Sequence, residues 1–322
     1  MRAVVSTRYG SPDVLQIRDI PKPEPKPGEV LIRIHVTTVN RTDSGMLRGH
    51  PFFARLFIGL LRPKHTIRGM DFAGTVETAG SAITSFQPGE RVFGMSSSEF
   101  GAHAEYLCVA EKGVVAAMPA GARFEEAVVC EGAWYADTCL RKFGLGPGHK
   151  ILIYGASGAI GTAAVQLAKS YGAEVTAVVA TQHMDLVQSL GADRAVDYAA
   201  EDFSEIGETF DFVFDAVGKT TYFRCRKLLK PAGVYAATDF GPWWQNAWLT
   251  IWSSITRSNR VVFPIPLNTA EFADGLKARM EAGELRAVID RTYPLEAIAD
   301  AYRYVETGQK TGVVVIDVIA AD

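Results

Sequence analysis

Tyr154-Gly155-Ala156-Ser157-Gly158-Ala159-Ile160-Gly161 is the stretch that decides how this chain of 322 residues folds. The four residues ahead of it, Lys150-Ile151-Leu152-Ile153, read as a short buried parallel strand. After it, apolar side chains at Ile160, Ala164, Leu167, Ala168 and Tyr171 recur with helical spacing. The glycines therefore fall on a strand-to-helix turn. Gly155 permits a tight bend, Gly158 lets the backbone approach a bound group, and Gly161 lets helix and strand pack closely. The helix N-terminus then faces a pyrophosphate, which makes this a dinucleotide site in outline. A glycine-rich turn with no ligand is the plain alternative, and the strand and helix flanks favour the dinucleotide reading.

On either side of this turn the sequence has two textures. From Met1 to about Arg123, Pro and Gly punctuate short β-rich segments, including Val30 to Val36, Gly69 to Val76 and Glu90 to Gly94. Pro21 to Gly28 reads as a surface loop, because proline lacks the ladder donor of a central strand. From Phe124 strands alternate with helices. Glu174 to Val179, Ala195 to Asp197, Phe212 to Asp215, Gly233 to Thr238 and Arg260 to Pro264 read as strands; His183 to Leu190 and Thr220 to Leu229 read as helices. This repetition predicts a doubly wound parallel sheet. Thr269 to Gly283 is then an amphipathic helix, and Val288-Ile289-Asp290, Tyr293-Pro294-Leu295 and Val313 to Val318 return to strand and turn, so the tail is expected to rejoin the first domain. The expected domains are 1–123 with 265–322, and 124–264.

Composition narrows the function classes. A net charge of -3 provides no overall basic field for nucleic acid or anionic lipid. No run of about 18 apolar residues and no signal-peptide core is found, so a cytoplasmic location is expected and membrane association is not. The four cysteines, Cys108, Cys130, Cys139 and Cys225, form no Cys-x-x-Cys pair and read as reduced, mostly structural thiols. His35, His50, His65, His103 and His149 lie in unlike contexts and read as surface or packed residues. No Gly-x-Ser-x-Gly elbow or paired-carboxylate pattern points to hydrolysis.

The order and spacing of Arg68 to Val76, Pro88 to Gly94, Gly155 to Lys169, Phe214-Asp215-Ala216-Val217-Gly218 and Asp290 to Leu295 resemble the medium-chain dehydrogenase/reductase superfamily, in its zinc-free quinone oxidoreductase-like branch, over essentially the whole chain. The resemblance implies a Rossmann sheet domain, plus a GroES-like β-rich substrate domain formed by both chain ends. It also implies a nicotinamide cofactor held by Gly155, Ser157, Gly158, Ala159, Ile160 and Gly161, with Thr181, His183, Tyr198, Val217 and Phe263 around it, and a homodimer. Zinc-dependent relatives place Cys, Gly-His-Glu and Cys ligands where this chain has Asn40, Gly69-Met70-Asp71 and the neighbourhood of Cys130. One thiolate without Cys or His companions does not make the three-ligand site of a catalytic zinc.

Val179-Ala180-Thr181-Gln182-His183 carries no acid at the end of the second strand of the sheet domain, which favours NADP(H) while leaving NAD(H) open. Without zinc, the chemistry that suits such a fold is hydride transfer to a quinone or an α,β-unsaturated carbonyl compound. Asn40, Asp43 and Asp71 adjoin the places of the missing zinc ligands and are the candidate catalytic residues. Asn40 would donate a hydrogen bond and an Asp would hold a proton-supplying water; for Asp43 a helix-capping role competes. Alternatives are an alcohol or aldehyde oxidoreductase of the same fold, or a non-catalytic NADPH-binding interaction protein.

Four of the five tryptophans lie between Gly241 and Trp252. The spacing of Trp244, Trp248, Ile251, Trp252 and Ile255 predicts one apolar helical face. Core packing, a lipophilic substrate wall including Trp244 and Trp248, and a dimer contact compete for it; a membrane-surface helix is disfavoured, because its flanks hold only Arg257 and Arg260 rather than a basic face.

Overall fold

A computed structural model of the chain describes residues 1–97, 99–256, 260–263 and 270–319. Two compact units emerge: Met1–Glu131 with Asn268–Asp322, and Gly132–Leu267.

The first unit begins with an antiparallel pair, β1 (Arg2–Val5) and β2 (Gln16–Asp19). A long strand, β3 (Glu29–Val39), then runs into helix α1 (Arg41–Arg48) and the short helix α2 (Arg55–Ile58). Strands β4 (Asp71–Ala79), β5 (Arg91–Met95), β6 (Tyr106–Ala110) and β7 (Val114–Ala117) follow. Alternation explains β3, since Val30, Ile32 and Ile34 enter a core with Phe72, Val92 and Val314, while Arg33 stays exposed.

Helix α3 (Cys130–Phe143) leads to the second unit's sheet, with strands β8 (Lys150–Tyr154), β9 (Glu174–Val179), β10 (Arg194–Asp197), β11 (Phe210–Asp215), β12 (Leu229–Ala237) and β13 (Arg260–Val262). They are all parallel, in the order β10-β9-β8-β11-β12-β13. Counted within the unit this is 3-2-1-4-5-6, the doubly wound order, with its switch point between β8 and β11. The helix after β8, α4 (Ala159–Ser170), is buried from Gly161 to Ala168.

After the sheet's last helix, α5 (Gln245–Thr256), the chain returns to the first unit as α6 (Ala270–Glu281), β14 (Ile289–Pro294), α7 (Ile298–Glu306) and β15 (Val313–Asp317). Pro264 and Thr269, expected at the end of a strand and the start of a helix, lie outside the described residues. β15 pairs antiparallel with the far end of β3, matching Val314 to Val39. Both chain ends thus build one seven-stranded sheet.

One expectation needed correction, and one set of alternatives was narrowed. Thr220 to Leu229 is not one helix: Thr221 caps a single turn over Tyr222–Cys225, a 3-10 turn covers Arg226–Leu228, and β12 has begun by Leu229. Leu229 pairs with Phe210, and Pro231 just beyond forbids helical continuation. The Trp-rich segment does form a helix, but its aromatic face is not in the core. Trp243, Trp244, Trp248, Ile251, Trp252 and Ile255 are all exposed, Trp243 by 94%. The buried face carries Asn246, whose Nδ2 donates to the Asp239 carbonyl (2.9 Å), and Ser253, whose Oγ donates to the Val261 carbonyl (3.0 Å). These two hydrogen bonds and Leu249, which packs against the unit's core, hold this helix to its unit, and the apolar stripe is exposed.

Candidate functional site

The glycine turn is built as its sequence requires. Gly155 has φ +75, and a Cβ there would meet Val217 Cγ1 at 2.6 Å. At Gly161 a Cβ would lie 2.2 Å from the Gly155 carbonyl oxygen and 2.6 Å from Ala156 Cα, so helix and strand approach as closely as backbone allows. Gly158 differs from both. Its nearest neighbour would be 3.8 Å from the added Cβ, so the space in front of it is open. It is also the N-cap of α4 with no side-chain cap hydrogen bond, so the first amides of the helix are left for an external anion. Packed glycines on both sides of an open, uncapped one fit a pyrophosphate.

Around this turn, Tyr198 is half exposed and its ring lies 6.3 Å from that of Tyr154. Phe263 stacks on Phe240 at 4.5 Å. His183 closes a 3-10 turn at the head of the next helix. Thr181 is engaged: its hydroxyl donates to Asp197 Oδ2 at 2.5 Å. That bond, with a second from the Ala199 amide, holds the Asp197 carboxyl below its ordinary range. β10 thus brings a carboxylate beside the end of β9, where the sequence of β9 alone has none. A second strand-end acid of this unit, Asp215 at the end of β11, accepts from the amides of Val217, Gly218 and Thr220. Burial nevertheless pushes it up to about 6.

In the first unit, Asn40, Asp43 and Asp71 are all buried. Asn40 caps α1, and its amide donates to Asp43 Oδ2 (2.8 Å), so Asp43 closes the first turn of the helix. The Asn40 side chain donates to Thr38 Oγ1 (3.0 Å). Asp71, the first residue of β4, accepts from the Glu131 amide through Oδ1 (2.9 Å) and so caps the start of α3. These bonds use one oxygen of each aspartate. Asp43 Oδ1, Asp71 Oδ2 and Glu131 Oε2 are buried without a hydrogen-bond partner among the described residues.

Sequence reasoning missed the company these residues keep. Glu131 is a third buried carboxyl, and burial raises all three, Asp43 and Asp71 further because Glu131 is near. The proton content therefore belongs to the group rather than to one residue. Lys310 is half-buried as a residue, but its ammonium is enclosed. Burial pulls it down to about 8 against the attraction of Glu131, Asp290 and Asp43. Arg68, buried beside Asp43, has Nε and Nη2 unpaired among the described residues. Arg68 opens the Arg68 to Val76 motif and Glu131 follows Cys130, whereas nothing local marks Lys310. His103 plays the packed part expected of it: Nε2 donates to the Thr38 carbonyl (2.8 Å), and burial pulls its pKa to about 4, so it is neutral.

No group of three or more His, Cys, Asp or Glu side chains is placed to hold a metal ion among the described residues. Cys130 is fully buried, and burial together with Asp71 pushes its thiol well up, the opposite of what a thiolate ligand needs.

A parallel sheet in doubly wound order with an open glycine at its first helix, and a β-rich unit closed by both chain ends, define a two-domain dinucleotide-dependent oxidoreductase architecture. Residues 26–133 match the alcohol dehydrogenase GroES-like domain, and residues 190–316 match a family model described as zinc-binding dehydrogenase. The chain is 32% identical to a 2-methylene-furan-3-one reductase of Solanum lycopersicum, over 98% of this chain and 79% of that one. It is 31% identical, with the same coverage, to the NADPH-dependent alkenal/one oxidoreductase of Arabidopsis thaliana. The solved quinone oxidoreductase from Coxiella burnetii superposes with a TM-score of 0.88 at 25% identity, covering 99% of both chains. The chain belongs to the medium-chain dehydrogenase/reductase superfamily.

Proposed function

We propose that this protein is a zinc-independent reductase that binds NADPH in preference to NADH and delivers hydride to a quinone or an α,β-unsaturated carbonyl compound. The observation that carries the reading is the open, uncapped Gly158 at the head of α4, flanked by two glycines packed too tightly for any side chain. The relatives' names supply the acceptor class. The amides from Gly155 to Gly161 would hold the pyrophosphate, with Thr181, His183 and Tyr198 toward the adenosine side and Val217 and Phe263 toward the nicotinamide. When bound, the nicotinamide supplies the hydride.

The chain's own residues must do the rest. Reducing an enone or a quinone consumes one hydride and at least one proton, and burial raises Asp43, Asp71 and Glu131 above the ordinary carboxyl range, the direction a proton donor needs. Asn40, whose amide and side chain are fixed by Asp43 and Thr38, would orient the group that receives the proton. The outward-facing Trp244 and Trp248 favour a lipophilic acceptor wall over core packing. Preference for NADPH rests on the lack of an acid at the end of β9, over Val179 to His183, and on the named cofactor of the Arabidopsis relative.

The test is a screen of NADPH and NADH oxidation against quinones, enones and aldehydes, with zinc content measured on the same sample. Consumption of NADPH with quinones or enones, unchanged by a strong chelator, is expected. Turnover confined to simple alcohols, or lost on chelation, would overturn the proposal.

A further inference from the structure

Between Ser44 and Met70 the chain carries no acidic residue and five cationic ones, Arg48, Arg55, Arg62, Lys64 and Arg68. Three are used internally. Arg68 is buried, Arg48 pairs with Glu306 (2.6 Å), and Arg55 donates to the carbonyls of Gly49 and Arg48 (3.1 Å each) while lying over the Tyr9 ring. Arg62 and Lys64 are exposed and in no ion pair among the described residues.

Interleaved with them are Phe52, Leu56, Phe57, Leu60 and Leu61, all exposed, Leu61 by 86%. The loop that presents them is tightly built. The Tyr9 hydroxyl donates to the Gly59 carbonyl (2.6 Å), and the Lys64 amide donates to the Ile58 carbonyl (2.7 Å), closing a turn with Leu60, Leu61 and Arg62 at its tip. Gly59 has φ +116, and a Cβ there would lie 2.0 Å from the Arg62 carbonyl oxygen. Five large apolar side chains held outward within ten residues form a surface that calls for a cover.

We propose that residues 50–64 are a docking loop that seats this protein on a bilayer carrying anionic headgroups. The apolar tip enters the boundary between headgroups and acyl chains, while Arg62 and Lys64 stay at headgroup depth. Charge complementarity selects this occupant: with no carboxylate in the segment, the local field is positive although the whole chain is negative. The aromatic face of α5 is as apolar, but that helix carries no cation to select an anionic surface, and Trp244 and Trp248 are assigned to the proposed acceptor wall. The docking loop is independent of the proposed reaction; it would give the enzyme access to acceptors dissolved in lipid.

Vesicle co-sedimentation of the full chain tests it, using phosphatidylcholine alone and phosphatidylcholine with about 30% phosphatidylglycerol. The expected result is binding to the anionic vesicles, with partitioning at least about tenfold lower on neutral ones, since each cation near an anionic surface is worth roughly fivefold. Phe57→Ser with Leu61→Ser, and separately Arg62→Ala with Lys64→Ala, should each lower it by a similar factor. All four sites are exposed, so circular dichroism and the melting midpoint should not change. Failure of the parent to bind either vesicle, or equal binding by parent and variants, would overturn the proposal. So would self-association in sedimentation that Leu61→Ser abolishes while vesicles are not bound, which would make a second copy the occupant.

Discussion

The glycine turn of the second unit and the carboxyl group of the first are built by opposite means. From Gly155 to Gly161 the determinant is backbone: side chains are absent where two strands of chain touch, and absent again where a ligand is to touch. Around Asp43, Asp71 and Glu131 the determinant is burial of side chains from three distant stretches of sequence, each left with one unpartnered oxygen among the described residues, the two aspartates each fixed by one hydrogen bond. The first is a shape whose packed glycines, Gly155 and Gly161, leave no room for a side chain; the second is a set of buried carboxyls that tolerates a change of atom better than a loss of one.

The widest break in this comparison is expected at Gly161. Gly161→Val places a side chain 2.2 Å from a carbonyl oxygen and 2.6 Å from a Cα, neither of which can rotate away. Overpacking of that kind costs about 1–3 kcal/mol or more, so chemical denaturation should show loss of stability, and NADPH binding should disappear with it. Next comes Asp71→Ala, which leaves the buried Glu131 amide without its acceptor at a cost of about 1–3 kcal/mol. Asp71→Asn keeps an oxygen there and should cost less than about 1 kcal/mol.

The pH dependence sharpens the Asp71 comparison. Burial raises the folded-state pKa, so the folded protein holds this proton more tightly than the unfolded chain. Its stabilisation is complete below the ordinary carboxyl pKa and is lost as pH rises through the raised value, by about 1.4 kcal/mol for each pH unit that separates the two. Asn cannot ionise. Denaturation at pH 5 and pH 8 should therefore show Asp71→Asn gaining on the parent as pH rises; a constant difference would mean that Asp71 is already ionised in the folded state.

Gly158→Ala should separate binding from folding. Its Cβ meets nothing closer than 3.8 Å, and an N-cap Gly to Ala change costs at most about 1 kcal/mol, so the melting midpoint should hold. Yet the added methyl occupies the approach to the uncapped amides, and the KM for NADPH should rise by about tenfold, equivalent to about 1.4 kcal/mol.

These contrasts show why one site was legible in the sequence and the other only in part. A strand, three glycines and a helix are contiguous, so the spacing of Gly155, Gly158 and Gly161 already specified the turn, and the doubly wound sheet followed from the alternating pattern. Asn40, Asp43 and Asp71 were found because they occupy or adjoin the places of the zinc ligands of relatives, but their surroundings come from pairing over long separations: Asp71 with Glu131, and β15 with β3, which carries Lys310 in. No periodicity reports such meetings. The Trp-rich helix was read correctly as a helix with one apolar face, but what that face meets stayed open for a related reason. Spacing identifies an apolar face, but whether that face turns inward was decided by Asn246 and Ser253 finding carbonyls in their own unit.

The smallest expected effect lies where local reading stopped one strand short. β9 ends without an acid, yet Asp197 at the end of β10 accepts from Thr181, the residue that follows the strand by two. Thr181→Val removes the hydroxyl that helps hold the Asp197 carboxyl low, and leaves the Ala199 amide donating to it. If that carboxylate acts on a 2′-phosphate, its charge opposes NADPH, and Asp197→Asn should raise the NADPH-to-NADH ratio of kcat/KM. The change should stay within about tenfold, because a single charge screened by solvent contributes little to a cofactor held by many groups. Thr181→Val should leave the sign of the preference unchanged, since the charge stays while one donor goes. Measuring kcat/KM with both cofactors for the two variants decides the matter: if Asp197→Asn leaves the ratio where it was, the carboxylate serves only to join β10 to the turn after β9, and cofactor choice is set by the end of β9 alone.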